Sequence, residues 1–223
     1  MSDEPIFSNL QPSALIDEIK RLPSSQLDAR YSGIQFLLVE LRDDCPELEA
    51  GLVENHALIG RPPSPSAVSA ATTVTFPALR AAGARASLEG MDRIQLLAKL
   101  SGARHFVLPL FKREGGHLKE ASKISVGRNK GSDVTLCHSS VSKLHAWFEM
   151  DSSGALYLFE AKSLNGTRVN GKPVSSEEAQ WLQPMDQIQF GSINAFTSTP
   201  AVLRGALRSL GEAQHQMGTL EVP

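Results

Sequence analysis

The sequence predicts an α+β fold, in which a helical N-terminal region precedes a two-sheet antiparallel β-sandwich and a C-terminal helix. Two observations support this prediction. In the first half of the chain, apolar residues recur at the spacing of a helix face, whereas short apolar segments bounded by Gly, Asn, Asp and Ser follow from about residue 103. With 223 residues, 41% of them hydrophobic, the chain has enough apolar material for one or two domains with packed cores.

Residues 1–59 are predicted to form a helical region. A first helix is expected to end at Pro23, because proline does not continue a helix. A second set of apolar residues then recurs at helical spacing: Leu27, Tyr31, Ile34, Leu37, Leu38 and Leu41. The spacing suggests an antiparallel helical hairpin, with a third helix around Glu47–Leu52.

Residues 60–77 have the composition of a linker. Four prolines lie among many Ser, Thr and Ala residues, so the segment offers little apolar surface to bury and a stiff, extended backbone. The apolar residues that follow lie on one side of a helix, which predicts a further helical segment at 78–102.

Residues 103–199 are predicted to form the sandwich. The segments HFVLPLF, KISVG, DVTL, HAWFEM, ALYLFEA, TRVNGKPV and QIQFG have the length and spacing of short strands. Asn170-Gly171 indicates a hairpin with a type I′ turn, whose two central positions need positive φ. Residues 200–223 are predicted to form a C-terminal helix and a short tail.

Four short motifs occur in order within this β segment: Gly127-Arg128, Ser142-Lys143-Leu144-His145, Asn165-Gly166-Thr167 and Asn170-Gly171. The loops of a sandwich lie together at its ends, so residues distant in sequence can converge there. A phosphate monoester carries nearly two negative charges and three strong acceptor oxygens. Arg128 supplies a charge-assisted fork for such a group, and Ser142 supplies a short hydroxyl donor.

The motifs resemble those of the forkhead-associated (FHA) family, over about residues 104–199. The family pattern is GR, S-x-x-H, NG-T, a second NG and a late Leu–Asp–Ile–Phe–Gly segment. The resemblance implies an FHA domain at 103–199 that binds phosphothreonine peptides. It also implies that Arg128 and Ser142 contact the phosphate, that Lys143 adds a further phosphate contact, and that Asn165 hydrogen-bonds the peptide backbone.

Other motif residues are implied to be structural, since they shape the loops: Gly127, His145, Gly166, Asn170 and Gly171. The sequence departs from the family in two places. Leu164 stands where the family often has Ser or Thr, so one polar contact near the phosphate is expected to be missing. Met185 precedes Asp186 where the family usually has Gly, which is expected to alter a turn.

The expected function is therefore that of a phosphothreonine-peptide-binding signalling adaptor or regulator of bacterial type, acting with Ser/Thr protein kinases. The expected partners are a phosphothreonine-containing protein and a kinase or its substrate. The alternative is a phosphate-independent scaffold or assembly protein that uses the FHA fold and the N-terminal helices. A net charge of −2 gives no general attraction to nucleic acid or to an acidic membrane.

An enzyme, a cofactor and a metal site are not expected. Ser140-Val141-Ser142-Lys143 contains the S-x-x-K spacing, but the companion motifs of serine acylases are absent. His138 and His145 match no metal-site spacing. Cys45 and Cys137 match no CxxC pattern and are expected to be reduced thiols. The absence of a signal-peptide pattern and of a long apolar segment makes the cytoplasm the expected location.

Thr72 and Thr73 are possible phosphoacceptors in the predicted linker. The arrangement resembles that of small bacterial FHA regulators, in which a phosphorylated N-terminal TT segment docks on the protein's own FHA site. A tethered ligand is present at about millimolar effective concentration, so even weak intrinsic affinity would close the site.

Overall fold

A computed structural model describes residues 19–31, 34–56, 72–75, 104–113 and 115–208. The strands, in chain order, are β1 Gln35–Leu41, β2 Thr72–Thr75, β3 Arg104–Leu110, β4 Lys123–Gly127, β5 Val134–Thr135, β6 Ala146–Met150, β7 Leu156–Glu160, β8 Thr167–Val169, β9 Lys172–Pro173, β10 Gln180–Leu182, β11 Gln187–Phe190 and β12 Ile193–Ser198. The helices are α1 Ser24–Arg30, α2 Pro46–His56 and α3 at residues 200–208; residues 19–21, before Pro23, are helical as well.

The strands form two sheets. One has seven strands in the order β2-β3-β1-β12-β11-β8-β9, and the other has five strands in the order β10-β7-β6-β4-β5. All pairs are antiparallel except β4 with β5. The α+β fold with a two-sheet sandwich and a C-terminal helix is therefore confirmed.

The sheets enclose the larger of two apolar cores, in which Phe148 of one sheet meets Phe190 of the other with their rings in edge contact. The second core covers the opposite face of the seven-stranded sheet. Leu27 of α1 and Leu203 of α3 lie in this core together with Phe36 of β1 and Phe196 of β12. Alternate residues of the central strands thus face different cores, as the pleat requires.

The structure corrects the prediction of a helix at Leu37, Leu38 and Leu41. These residues lie in β1, which pairs with β3 on one side and with β12 on the other. A strand buried on both faces has a continuous apolar sequence, and FLLV matches a buried helix equally well. The helix expected around Glu47–Leu52 is present as α2.

Because β1 lies between β3 and β12, the seven-stranded sheet includes residues far N-terminal to the predicted boundary at 103. A second difference lies in the predicted linker, where Thr72–Thr75 form β2 on the edge of the same sheet and pair with β3. The rest of the linker, the predicted helix at 78–102 and the tail at 209–223 lie outside the described residues. Among the helices that the structure describes, none is both long and apolar enough to cross a membrane.

Candidate functional site

Three loops meet at one end of the sandwich: residues 128–133, 136–145 and 161–166. Hydrogen bonds join them directly. The backbone N–H of Arg128 donates to the carbonyl of Ser142 (3.0 Å), and the backbone N–H of Leu164 donates to Ser142 Oγ (3.0 Å). Asn165 Nδ2 donates to the carbonyl of Ser140 (2.8 Å). The structure therefore brings together the residues that the motifs predicted.

Ser142 is oriented with its hydroxyl proton available. Its Oγ already accepts the N–H of Leu164, and its backbone N–H donates to His145 Nδ1 at 3.0 Å. A hydroxyl that accepts one hydrogen bond keeps its own proton to donate. Ser142 can therefore donate a short hydrogen bond to an anionic oxygen placed at the end of the sandwich.

Arg128 and Lys143 supply the positive charge of the site. Both side chains are exposed, and neither forms an ion pair with any carboxylate in the described part of the chain. Arg128 follows β4, and Lys143 follows Ser142. Two unpaired cations beside a serine donor are suited to a phosphate dianion.

Asn165 is exposed and has hydrogen-bonding capacity left. One amide proton binds the Ser140 carbonyl, while Oδ1 has no partner among the described residues. An amide held at one end can accept an N–H from an extended peptide with its free oxygen. Its neighbour Leu164 is 89% exposed, so the departure from the family pattern puts an apolar side chain next to Ser142.

His145 lies below these loops and is fully buried. Its Nδ1 accepts the N–H of Ser142, which assigns the ring proton to Nε2, where it faces the Gly166 carbonyl at 3.2 Å and Ser163 Oγ at 3.1 Å. Burial lowers the pKa of His145 below its ordinary value, against smaller opposing effects of Gly166 and Glu160. The neutral ring joins two of the three loops, which is a structural role.

Because burial favours the neutral form of His145, we predict that the stability of the protein depends on pH. The unfolded chain takes up the proton near pH 6.5 and the folded protein only below that value, so the stabilising contribution is complete above pH 6.5 and falls as the pH drops below it. Urea unfolding measured between pH 8 and 5 should show this decrease. His145→Asn should have a smaller decrease over the same range, because an amide does not titrate; equal slopes would contradict the assignment.

The remaining motif residues control backbone turns. Gly166 has φ of 70°, and Asn170 and Gly171 have φ of 49° and 79°, as the predicted type I′ hairpin requires. Asn170 also holds the next turn, because its Nδ2 donates to Asp186 Oδ1 (2.7 Å) and its Oδ1 accepts the N–H of Gln187 (3.0 Å). Met185, which replaces the usual glycine, has φ of 75° and lies in that turn, away from the three loops.

Two residues that support the site were missed by the sequence analysis. Glu160 is buried, and its carboxylate accepts the N–H groups of Lys162 and Ser163, which orders the loop before Asn165. An acidic residue just before a Ser- and Asn-containing turn is a signal that could have indicated this role. Ser140 Oγ binds His138 Nδ1 (2.8 Å) and Ser192 Oγ (2.9 Å), and no sequence pattern distinguishes it from its serine neighbours.

Helix α2 packs against the back of the same loops. A Cβ atom at Gly51 would lie 2.5 Å from Cys137 Cβ, so the helix and the loop at 136–145 approach too closely for any side chain. Lys130 and Glu54 form an ion pair at 2.7 Å between the loop at 128–133 and the helix. The loops of the candidate site are therefore supported by a helix that follows β1 in the sequence.

The family model for the FHA domain matches residues 124–191. No curated protein matches the chain. Among similar solved structures, one is from a study of phosphothreonine-dependent FHA domain interactions (26% identity, TM-score 0.33, covering 44% of this chain and 86% of that chain). Another is the FHA domain of an Arabidopsis thaliana hypothetical protein (26% identity, TM-score 0.34, covering 41% of this chain and 72% of that chain). A third is the N-terminal FHA domain of S. cerevisiae Rad53p with a phosphothreonine peptide (24% identity, TM-score 0.33, covering 39% of this chain and 72% of that chain).

The matched residues run from β4 to the end of β11 and contain all three loops of the candidate site. The four motifs lie within them, in the family's order. This chain therefore carries an FHA domain.

Proposed function

We propose that the protein binds phosphothreonine-containing protein segments at the end of the sandwich, as an adaptor or regulator that acts with Ser/Thr protein kinases. The FHA domain is an interaction module and not an enzyme. The observation that carries the proposal is the convergence of Arg128, Ser142 and Asn165, each exposed or half-buried and each with unused hydrogen-bonding capacity.

The phosphate is bound by charge and by a directed donor. The Arg128 guanidinium offers parallel N–H groups to two phosphate oxygens, and Lys143 adds a second positive charge. Ser142 Oγ, fixed by the N–H of Leu164, donates to a further oxygen. Charge-assisted hydrogen bonds of this kind contribute about 1.5–3 kcal/mol each, so two or three of them are enough for specific recognition of a phosphorylated residue.

The peptide backbone is bound by Asn165. Its amide is anchored to the Ser140 carbonyl, and its exposed Oδ1 accepts an N–H from the bound segment. This contact places the peptide across the loops at 136–145 and 161–166. Leu164, exposed beside it, offers apolar contact to the same segment.

We predict that the protein prefers phosphothreonine to phosphoserine by several-fold. The threonine γ-methyl is buried on binding, and one buried methyl contributes about 0.8 kcal/mol, more if its loss leaves a cavity. The measurement is calorimetric titration with four peptides of one sequence that carry phosphothreonine, phosphoserine, threonine or glutamate. The peptide sequence is first selected from an oriented phosphothreonine library.

The same titration tests the proposed function. Binding of the phosphothreonine peptide with no measurable binding of the threonine peptide supports it. Equal affinity for phosphothreonine and phosphoserine contradicts the predicted preference. Equal affinity for the phosphorylated and unphosphorylated peptides contradicts the whole proposal and supports the alternative, a phosphate-independent scaffold. The observation that favours the alternative is Leu164, which replaces a polar neighbour of the phosphate.

Thr72 and Thr73 remain candidate phosphoacceptors, but their surroundings differ from those expected. In β2 they pair with Val107 and Phe106 of β3, so β2 would have to leave the sheet edge before either residue could dock at the site. Intramolecular closure therefore carries the cost of opening an edge strand. Phosphorylation of Thr72 or Thr73 that leaves the affinity for a phosphothreonine peptide unchanged would exclude this closure.

A further inference from the structure

A second cluster of side chains lies at the loop at 136–145, one of the three loops of the candidate site. Cys45, immediately before α2, and Glu47, in its first turn, lie next to His138 of the loop at 136–145. One sulfur, one carboxylate oxygen and one imidazole nitrogen of these residues lie within 4.8 Å of one another. No sequence spacing indicates this cluster, because His138 is far along the chain from the other two.

We propose that Cys45, Glu47 and His138 bind a zinc ion, with the fourth position open to water or an external ligand. Thiolate, imidazole and carboxylate are the three ligand types that Zn²⁺ takes from proteins, and three protein ligands with one open position form a recognised class of site. A tetrahedral ion with bonds of ~2.0–2.3 Å holds its ligand atoms ~3.5 Å apart. The cluster therefore needs side-chain shifts of about 1 Å to close on the ion.

The three residues differ in exposure, so the proposed site is open to solvent on one side and borders the apolar core on the other. Cys45 is 5% exposed and faces the core, His138 is half-buried, and Glu47 is exposed. The ion enters from the side of Glu47, the exposed member of the cluster. The sulfur then lies at the inner side of the site, away from competing water.

The two segments that supply the ligands are held in a fixed relation. Gly51 of α2 contacts Cys137, the neighbour of His138, without room for a side chain, and Lys130 pairs with Glu54 on the same helix. A site whose ligands are already assembled loses little conformational entropy when the ion binds. This packing distinguishes the cluster from surface acidic groups that approach each other by chance.

The imidazole of His138 is oriented from its other side. Nδ1 is 2.8 Å from Ser140 Oγ and accepts the Ser140 backbone N–H at 3.1 Å, so Nε2 is the nitrogen left for an ion and we assign it as the ligand atom. In the ion-free protein the neutral ring therefore carries its proton on Nε2. When the ion binds Nε2, the ring proton moves to Nδ1, which then donates to Ser140 Oγ in place of accepting the Ser140 N–H. A second hydrogen bond of this kind is the usual support of a metal-binding histidine.

The experiment uses the full chain, freed of metal with a chelator and titrated with Co²⁺, a spectroscopic substitute for Zn²⁺. The expected result is saturation at one equivalent, with a sulfur-to-cobalt charge-transfer band and the intense visible bands of four-coordinate cobalt, all removed by excess Zn²⁺. Cys45→Ser should abolish the charge-transfer band. His138→Gln and Glu47→Gln should each weaken Co²⁺ binding at least tenfold.

Cys137→Ser is the matched control, because Cys137 is next to His138 but outside the cluster; it should keep the band at wild-type intensity. Circular dichroism checks that each variant is folded, and Zn²⁺ should raise the melting temperature of the wild type and of Cys137→Ser but not of Cys45→Ser. A folded wild type that binds no Co²⁺ overturns the proposal, as does a band that survives Cys45→Ser or disappears in Cys137→Ser. None of these readouts needs a phosphopeptide, so they are independent of the proposed function.

Discussion

Replacing Arg128 with alanine is expected to weaken phosphothreonine-peptide binding by about 2–4 kcal/mol, since it removes a doubly hydrogen-bonded, charge-assisted contact. The fold should survive, because the side chain is exposed and makes no ion pair with the described residues. Calorimetric titration with one phosphothreonine peptide measures the difference. Arg128→Lys should recover only part of the lost affinity, since an ammonium keeps the charge but not the planar fork.

Arg168→Ala is the control for charge. Arg168 is also exposed and lies on β8, where its Nη1 is hydrogen-bonded to the Gly171 carbonyl. Its removal changes the net charge by the same amount without altering the three loops, so affinity should change little. If Arg128→Ala binds the peptide as tightly as the wild type, or if Arg168→Ala loses as much affinity, Arg128 is not the phosphate ligand.

Gly127→Ala is expected to destabilise the protein by about 1–3 kcal/mol or more, as an overpacked core position does. A Cβ at this position would overlap the backbone carbonyl oxygen of Lys143 and approach Ser132 Oγ at 3.0 Å. The surrounding backbone cannot move aside easily. On either side of Gly127, Val126 and Arg128 are hydrogen-bonded to His145 and Ser142, and the Gly127 carbonyl accepts the N–H of Leu136.

Urea unfolding of the wild type and the variant measures this cost. Gly131→Ala is the matched control in the loop that follows β4, because the nearest atom to its added Cβ is Asn129 Oδ1 at 3.8 Å and the position is exposed. Its free energy of unfolding should change by less than about 0.5 kcal/mol. Gly127→Ala should also lose peptide affinity, since the segment that it displaces carries Ser142 and Lys143. A variant as stable as Gly131→Ala would contradict the close packing.

The candidate site was largely predictable from the sequence, because its residue types differ from those that the strands and loops around them would otherwise favour. Gly127 lies at the end of a buried strand, Asn170-Gly171 requires positive φ, and Arg128 and Ser142 are polar residues in loops between apolar strands. Such residues are set by local backbone geometry and by the chemistry of a ligand, and both leave local sequence patterns. The contact of Leu164 N with Ser142 Oγ was not predictable, since a backbone donor carries no side-chain signature.

The N-terminal region was less predictable. Leu37 and Leu38 face different cores, so the segment has no alternation between apolar and polar residues. The sequence therefore showed the spacing of a helix and lacked the alternation that would have indicated a strand. Only pairing with β3 and β12, both distant in sequence, decides that it is a strand. Propensity is a weak preference that such long-range hydrogen bonding and burial override.

The sequence by itself determined that this protein has a β-sandwich with an FHA domain and which residues line the end of that sandwich, because turns, strand spacing and ligand chemistry are local properties. Only the tertiary structure decided that β1 lies within the larger sheet, that α2 packs against the loop at 136–145, and that Cys45 and Glu47 lie beside His138. The physical reason is that these arrangements depend on contacts between residues far apart in the chain, whose formation depends on how the whole core packs.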